Sequence, residues 1–190
     1  MIEFSSAEVD PGIRSHFDNI HSSDRGVQGA SYAYLMKMTA TPVDWAYEVW
    51  EELVLALKHK NGRKRSIAAQ LLCNLAQSDP KNRILRDFEA ILSVTKDEKF
   101  VTARHSLQSI WRIGTVGKRH QAKVIHGLSS RFQECIAEKN CTLIRYDIIQ
   151  SLRRLFDATK DQKIRKKAAK LMQSEDDIKY RRKYETLWRL

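Results

Sequence analysis

Three eleven-residue stretches of this chain align without gaps: residues 65–75 (RSIAAQLLCNL), 103–113 (ARHSLQSIWRI) and 145–155 (RYDIIQSLRRL). A repeat constrains a fold more tightly than any single motif, because every copy has to find the same packing environment. The starts lie 38 and 42 residues apart. That period accommodates two helices and their turns, so each copy is read as the second helix of a hairpin. In each copy the third, fourth, seventh and tenth residues after the first are small or apolar. They are Ala68, Ala69, Leu72 and Leu75, then Ser106, Leu107, Ile110 and Ile113, then Ile148, Ile149, Leu152 and Leu155. This spacing puts them on one stripe of an α-helix, the stripe expected to be buried.

The rest of the chain supports helices throughout. Proline occurs only at Pro11, Pro42 and Pro80, so the last 110 residues contain nothing that must break a helix. Seven glycines are too few for the frequent tight turns of a sandwich or barrel. Periodicity predicts nine helices, over about 28–38, 42–59, 63–77, 81–95, 98–115, 119–138, 142–158, 161–173 and 176–188. The breaks fall at Asn61-Gly62, Ser78-Asp79-Pro80, Lys96-Asp97, Gly117-Lys118, Lys139-Asn140, Lys160-Asp161 and Ser174-Glu175. Such short links force antiparallel neighbours, which leaves a compact bundle or a stack of hairpins. Residues 1–26, with Ser5, Ser6, Pro11, Gly12, Ser22, Ser23 and Gly26 and no sustained period, read as an irregular acidic arm preceding one helical domain over 27–190.

An Arg, a pair of small residues and Leu-x-x-Leu in the second helix, at a period near forty and with Asp79-Pro80 in one turn, resembles the HEAT-type helical repeats. The resemblance covers about residues 43–190. It implies an all-α, right-handed α-α superhelix of about nine helices, roughly four hairpins plus an N-terminal helix. It further implies that the second helices line a concave groove. Residues rotated away from the buried stripe would then face that groove: Ser66, Gln70, Cys73 and Asn74 in the first copy, Arg104, Gln108, Trp111 and Arg112 in the second, Tyr146, Gln150, Arg153 and Arg154 in the third. The last eight are the candidate binding residues. One column is Gln in all three copies (Gln70, Gln108, Gln150), which suits either a polar binding strip or simply a wet helix face. The arginines could clamp carboxylate or phosphate, and the Trp111 indole could meet a partner or tuck against a neighbouring helix.

Charge sharpens the expectation. The chain carries +11 overall, but residues 1–57 hold 3 Lys+Arg against 9 Asp+Glu, whereas residues 58–190 hold 31 against 14. A body so basic attracts acidic protein surfaces or nucleic-acid phosphates. Further anion-binding candidates are Lys163, Lys166, Lys167 and Lys170, which share a helix face at three and four spacing, and Arg181 and Arg182, beside Tyr180 and Tyr184.

Signatures of chemistry are sparse. There is no Gly-rich phosphate loop, nucleophile elbow or zinc-binding spacing, so neither a cofactor nor a metal is expected. His105 and Asp147 occupy the same column of successive repeats and could face each other as a His-Asp pair. With Trp111, Arg153 and Arg154, Asp147 also invites an architectural analogy to alkylpurine DNA glycosylases of helical-repeat build. Cys73, Cys135 and Cys141 form no CxxC pair and read as free thiols of a reducing, cytoplasmic compartment. No apolar run is long enough to span a membrane. The leading functional expectation is a non-enzymatic adaptor that takes an acidic or extended protein segment in a basic groove. The alternative is a nucleic-acid binder, and the sequence is silent on oligomeric state.

Overall fold

The structure, a computed structural model, describes residues 9–189. It contains ten α-helices among the described residues: α1 (Pro11–Asn19), α2 (Arg25–Met38), α3 (Ala46–Ala56), α4 (Gly62–Leu75), α5 (Arg83–Val94), α6 (Phe100–Leu107), α7 (Lys118–Glu134), α8 (Cys141–Thr159), α9 (Gln162–Gln173) and α10 (Ile178–Trp188). They form five consecutive hairpins. The second helices α2, α4, α6, α8 and α10 pack each on the next in one layer, and among the first helices α5 packs on α7 and α7 on α9 in the other. All twelve stripe residues of the aligned copies are buried. That stacking of hairpin on hairpin makes the chain an α-α superhelix rather than a bundle.

The N-terminal segment departs from the irregular arm expected of residues 1–26. Asp10 caps α1, its carboxylate accepting from Gly12 N at 2.8 Å and Ile13 N at 3.3 Å, and Pro11 takes the first turn, where its missing N–H costs nothing. Ile13, Phe17 and Ile20 are buried, with Phe17 edge-on to Trp45 at 5.7 Å. Two apolar positions in a nine-residue helix are too few to show a period. Residues 1–8 lie outside the described residues.

Two other boundaries moved. The helix expected to start at Thr41-Pro42 starts at Ala46, because Val43 N donates to Ser78 Oγ at 2.9 Å and holds residues 41–45 in an irregular segment. The helix expected over 98–115 stops at Leu107 and resumes as a 3₁₀ stretch, Ile110–Thr115. The carbonyls of Leu107 and Gln108, which would accept from the next turn of an α-helix, are taken by side chains. Ser151 Oγ donates to Leu107 O, while Trp111 Nε1 and Arg154 Nη1, each at 3.1 Å, donate to Gln108 O. Arg112 N then bonds Ser109 O in the tighter i→i+3 pattern. The 3₁₀ stretch lies so close to α8 that a Cβ on Gly114 would fall 2.8 Å from Leu155 Cδ1.

Arginines staple successive hairpins. Arg65 on α4 reaches forward to Asp97 in the α5–α6 turn (Nη2–Oδ1 2.9 Å), and Arg145 on α8 reaches forward to Glu175 in the α9–α10 turn (3.2 Å). These are the first residues of the first and third aligned copies. The second copy has Ala103 there, and its junction is held instead by Arg131 of α7. That buried guanidinium bonds Glu138 through both Nη atoms (2.6 and 2.7 Å) and donates back to Thr95 O at 3.1 Å.

Candidate second-helix groove

Whether a side chain on the second-helix layer is available to a ligand depends on what the neighbouring second helix does with it. On α4 the neighbour is α2, and it covers the face that alignment assigned to the groove: Ser66, Gln70, Cys73 and Asn74 are all buried. Tyr32 Oη donates to Gln70 Oε1 at 2.8 Å, Gln70 Nε2 donates to Ser66 O at 3.1 Å, and Asn74 Nδ2 donates to Thr39 Oγ1 at 3.0 Å. The first copy therefore gives inter-repeat contacts where free groove residues were expected. An extra hairpin, α1–α2, sits where the chain was read as an arm and a lone helix.

The Gln column is structural in its first two members. Gln108 Nε2 donates to Asp147 Oδ1 at 3.0 Å across the α6–α8 junction, and Gln150 stays half-buried. Asp147 is fully buried, and its second oxygen accepts from Arg104 Nε at 2.9 Å. Burial pushes its carboxyl above the usual carboxylate range, against the pull of Gln108 and Arg104. The expected His105–Asp147 pair is not formed: His105 is exposed, and both oxygens of Asp147 are spoken for by Arg104 and Gln108. Asp147 is thus enclosed at the α6–α8 junction, whereas the glycosylase analogy calls for a carboxylate open to the groove.

Of the other candidates, Trp111 tucks halfway in, its indole bonded to Gln108 O, and Arg112 lies over its ring at 4.9 Å. Arg153 is committed to α8 and α10, through Asp157 Oδ2 at 2.8 Å and Leu187 O at 3.1 Å. Arg154 is exposed, with one nitrogen on Gln108 O. Tyr146 is half-buried and lines, with Arg104, Tyr180, Lys183 and Leu187, a cavity of about 360 Å³. A second cavity, about 440 Å³, brings Trp111 and Arg112 together with Met36, Lys37, Cys73 and Asn74. A third, about 550 Å³, is lined by Tyr32, Arg63, Ile67, Lys99, Phe100 and His105. Of these, Tyr32, Lys37 and Lys99 have no signal in the aligned columns, because they belong to α2 and to the α6 entry, outside the repeated stretch.

The lysine row is placed elsewhere. Lys163, Lys166 and Lys170 are exposed and Lys167 half-buried on α9, which packs with α7 in the first-helix layer, so they do not share a face with Trp111 and Arg154. Arg181 Nε donates to Glu175 O at 2.8 Å and helps close the α9–α10 turn, while Arg182 is exposed. No helix among the described residues is long and apolar enough to cross a membrane.

The hairpin stack matches solved structures over nearly its whole length. The fold is an α-solenoid of stacked helical hairpins. One crystal structure of an engineered protein aligns with a TM-score of 0.54 at 13% identity, over 94% of this chain and 97% of that one. Another engineered protein aligns at 0.52 and 12%, over 94% and 95%. A designed armadillo repeat protein aligns at 0.46 and 12%, over 92% and 98%. Neither a protein-family model nor a curated protein matches the chain. Identities this low speak to fold alone.

Proposed function

We propose that this chain is a helical-repeat binding scaffold that takes an acidic, extended protein segment along its second-helix layer. The observation that carries the reading is a set of cations between α4 and α10, namely Arg63, Lys99, Arg112, Arg154 and Lys183, none of which makes an ion pair among the described residues. The acids of α8 are already used, Asp147 by Arg104 and Asp157 by Arg153. Unpaired cations beside cavities with apolar walls favour a ligand bearing both carboxylates and apolar side chains. Labelled octaglutamate is the direct probe. Binding at low ionic strength, absent for octalysine and weakened at least about tenfold by Arg63→Glu with Arg154→Glu, is the expected result. No octaglutamate binding under those conditions overturns the proposal.

A second reading, contact with nucleic-acid backbone, draws on the exposed lysine row of α9, whose members also lack ion pairs among the described residues. Its signature is duplex binding that falls steeply with salt and is lost on Lys166→Glu with Lys170→Glu but survives the arginine changes.

A further inference from the structure

The cavity between α2, α4 and the 3₁₀ stretch holds two polar groups whose needs are unmet. Asn74 is 4% exposed. The Thr39 hydroxyl spends its hydrogen on Leu35 O at 2.7 Å, so at 3.0 Å from Asn74 it can only accept; this assigns the amide nitrogen to that side, and Met36 O at 3.3 Å agrees. Asn74 Oδ1 is thereby turned away from both and has no hydrogen-bond partner among the described residues. A buried acceptor left unpaired costs about 1–3 kcal/mol, which a ligand N–H would recover.

Arg112 is the second group. Its guanidinium is half-buried and makes no hydrogen bond or ion pair among the described residues. The groups that bear on its charge are the Cys73 thiol, the Tyr32 phenol and a like charge, Arg154. Burial itself disfavours the cation and lowers its pKa. An anion here would pair the guanidinium and offset its desolvation.

We propose that this cavity is a subsite for one acidic residue of the bound segment, the carboxylate seated on Arg112 and the backbone N–H of the same residue donated to Asn74 Oδ1. The inference rests on the proposed function and names its recognition unit. An aspartate or glutamate in an extended chain offers the donor and the anion together, whereas a free phosphate or acetate meets only the cations, Arg112 and Lys37, and an apolar segment meets neither cation nor acceptor. The cavity, about 440 Å³ and walled by Met36 and Trp111, has room for such a residue together with its flanking backbone.

The test uses blocked aspartate, N-acetyl-L-aspartate N′-methylamide, and its ester analogue O-acetyl-L-malate N′-methylamide, in which oxygen replaces the N–H. Binding to the full chain is read from the side-chain ¹⁵N signals of Asn74 and Arg112. Blocked aspartate should shift both signals, bind about tenfold more weakly to Arg112→Gln and less tightly to Arg112→Lys, which keeps the charge but loses the fork. The ester should bind at least about fivefold more weakly than the amide. Equal binding of ester and amide overturns the Asn74 contact. If octaglutamate binds and loses nothing in Arg112→Gln while Arg63→Glu weakens it, the subsite falls and the groove stands. If blocked aspartate behaves as expected but octaglutamate does not bind, the subsite stands and the groove reading falls. Failure of both probes overturns both.

Discussion

Arg104 and Asp147 meet at 2.9 Å across the α6–α8 junction, a guanidinium with 40% of its side chain in solvent holding a carboxylate that has none. The repeat alignment had put Arg104 on the open groove and Asp147 opposite His105. One ion pair therefore joins two repeats and keeps Asp147 from His105, while Arg104 still presents part of its side chain to the groove.

The Asp147 and Asp97 carboxylates should leave opposite marks on acid stability. Burial raises the Asp147 pKa, so the folded state binds that proton more tightly than the unfolded chain, and stability from this group grows as pH falls through its folded pKa. For Asp97 burial also pushes upward, but the Arg65 hydrogen bonds and the Lys99 N–H outweigh it and hold the pKa below the ordinary range. Its contribution is present above the unfolded pKa and is lost as pH falls through the lower, folded value. Urea unfolding between pH 7 and the carboxylate range should show the gap between wild type and Asp97→Asn closing on acidification. The gap between wild type and Asp147→Asn should shift the other way, in favour of the wild type.

The hairpin staples are expected to behave as buried pairs. Arg145→Met leaves Glu175, 3% exposed, with Tyr184 Oη at 3.0 Å as its remaining side-chain partner, and should cost about 3–5 kcal/mol. Adding Glu175→Gln should restore most of the loss. A double variant as unstable as the single would show that Arg145 acts through its packing on Phe132, 4.6 Å away, rather than through charge.

Close approach at Gly114 predicts a coupled pair. Gly114→Ala should destabilise by about 1–3 kcal/mol through collision with Leu155, and the loss should shrink in a Leu155→Ala background, where the collision is gone. Additive losses in the double-mutant cycle would contradict this contact.

Thiol labelling should be graded. Burial pushes the Cys73 thiol up to about 12 despite Arg112, and Cys135 likewise up to about 12, whereas Cys141 is half-buried. Peptide mass spectrometry after brief iodoacetamide treatment of the native protein should find Cys141 modified first. Equal labelling of Cys73 would mean that the α2–α4 junction opens readily.

Sequence alone determined the repeat, its period and the buried stripe, because apolar spacing is a local property written along one helix: Ala68, Ala69, Leu72 and Leu75 are buried as their period requires. Charge asymmetry was equally legible. Helix α1 was less so, since one Asp10 cap and two apolar residues give too weak a pattern. Only the tertiary structure decided which polar residues remain for a ligand. Periodicity states which face turns from the hairpin's own core, but not whether the next hairpin covers it. On α4 the helix α2 does cover it, drawing Gln70 and the Asn74 amide nitrogen into hydrogen bonds between hairpins. At the α6–α8 junction side chains from Ser151, Trp111 and Arg154 capture the carbonyls of Leu107 and Gln108 and break the helix after Leu107, ahead of Gly114, where its own sequence has neither proline nor glycine. Apart from the local Trp111 bond, contacts between residues about forty apart make those decisions, and their geometry exists only once the hairpins are stacked.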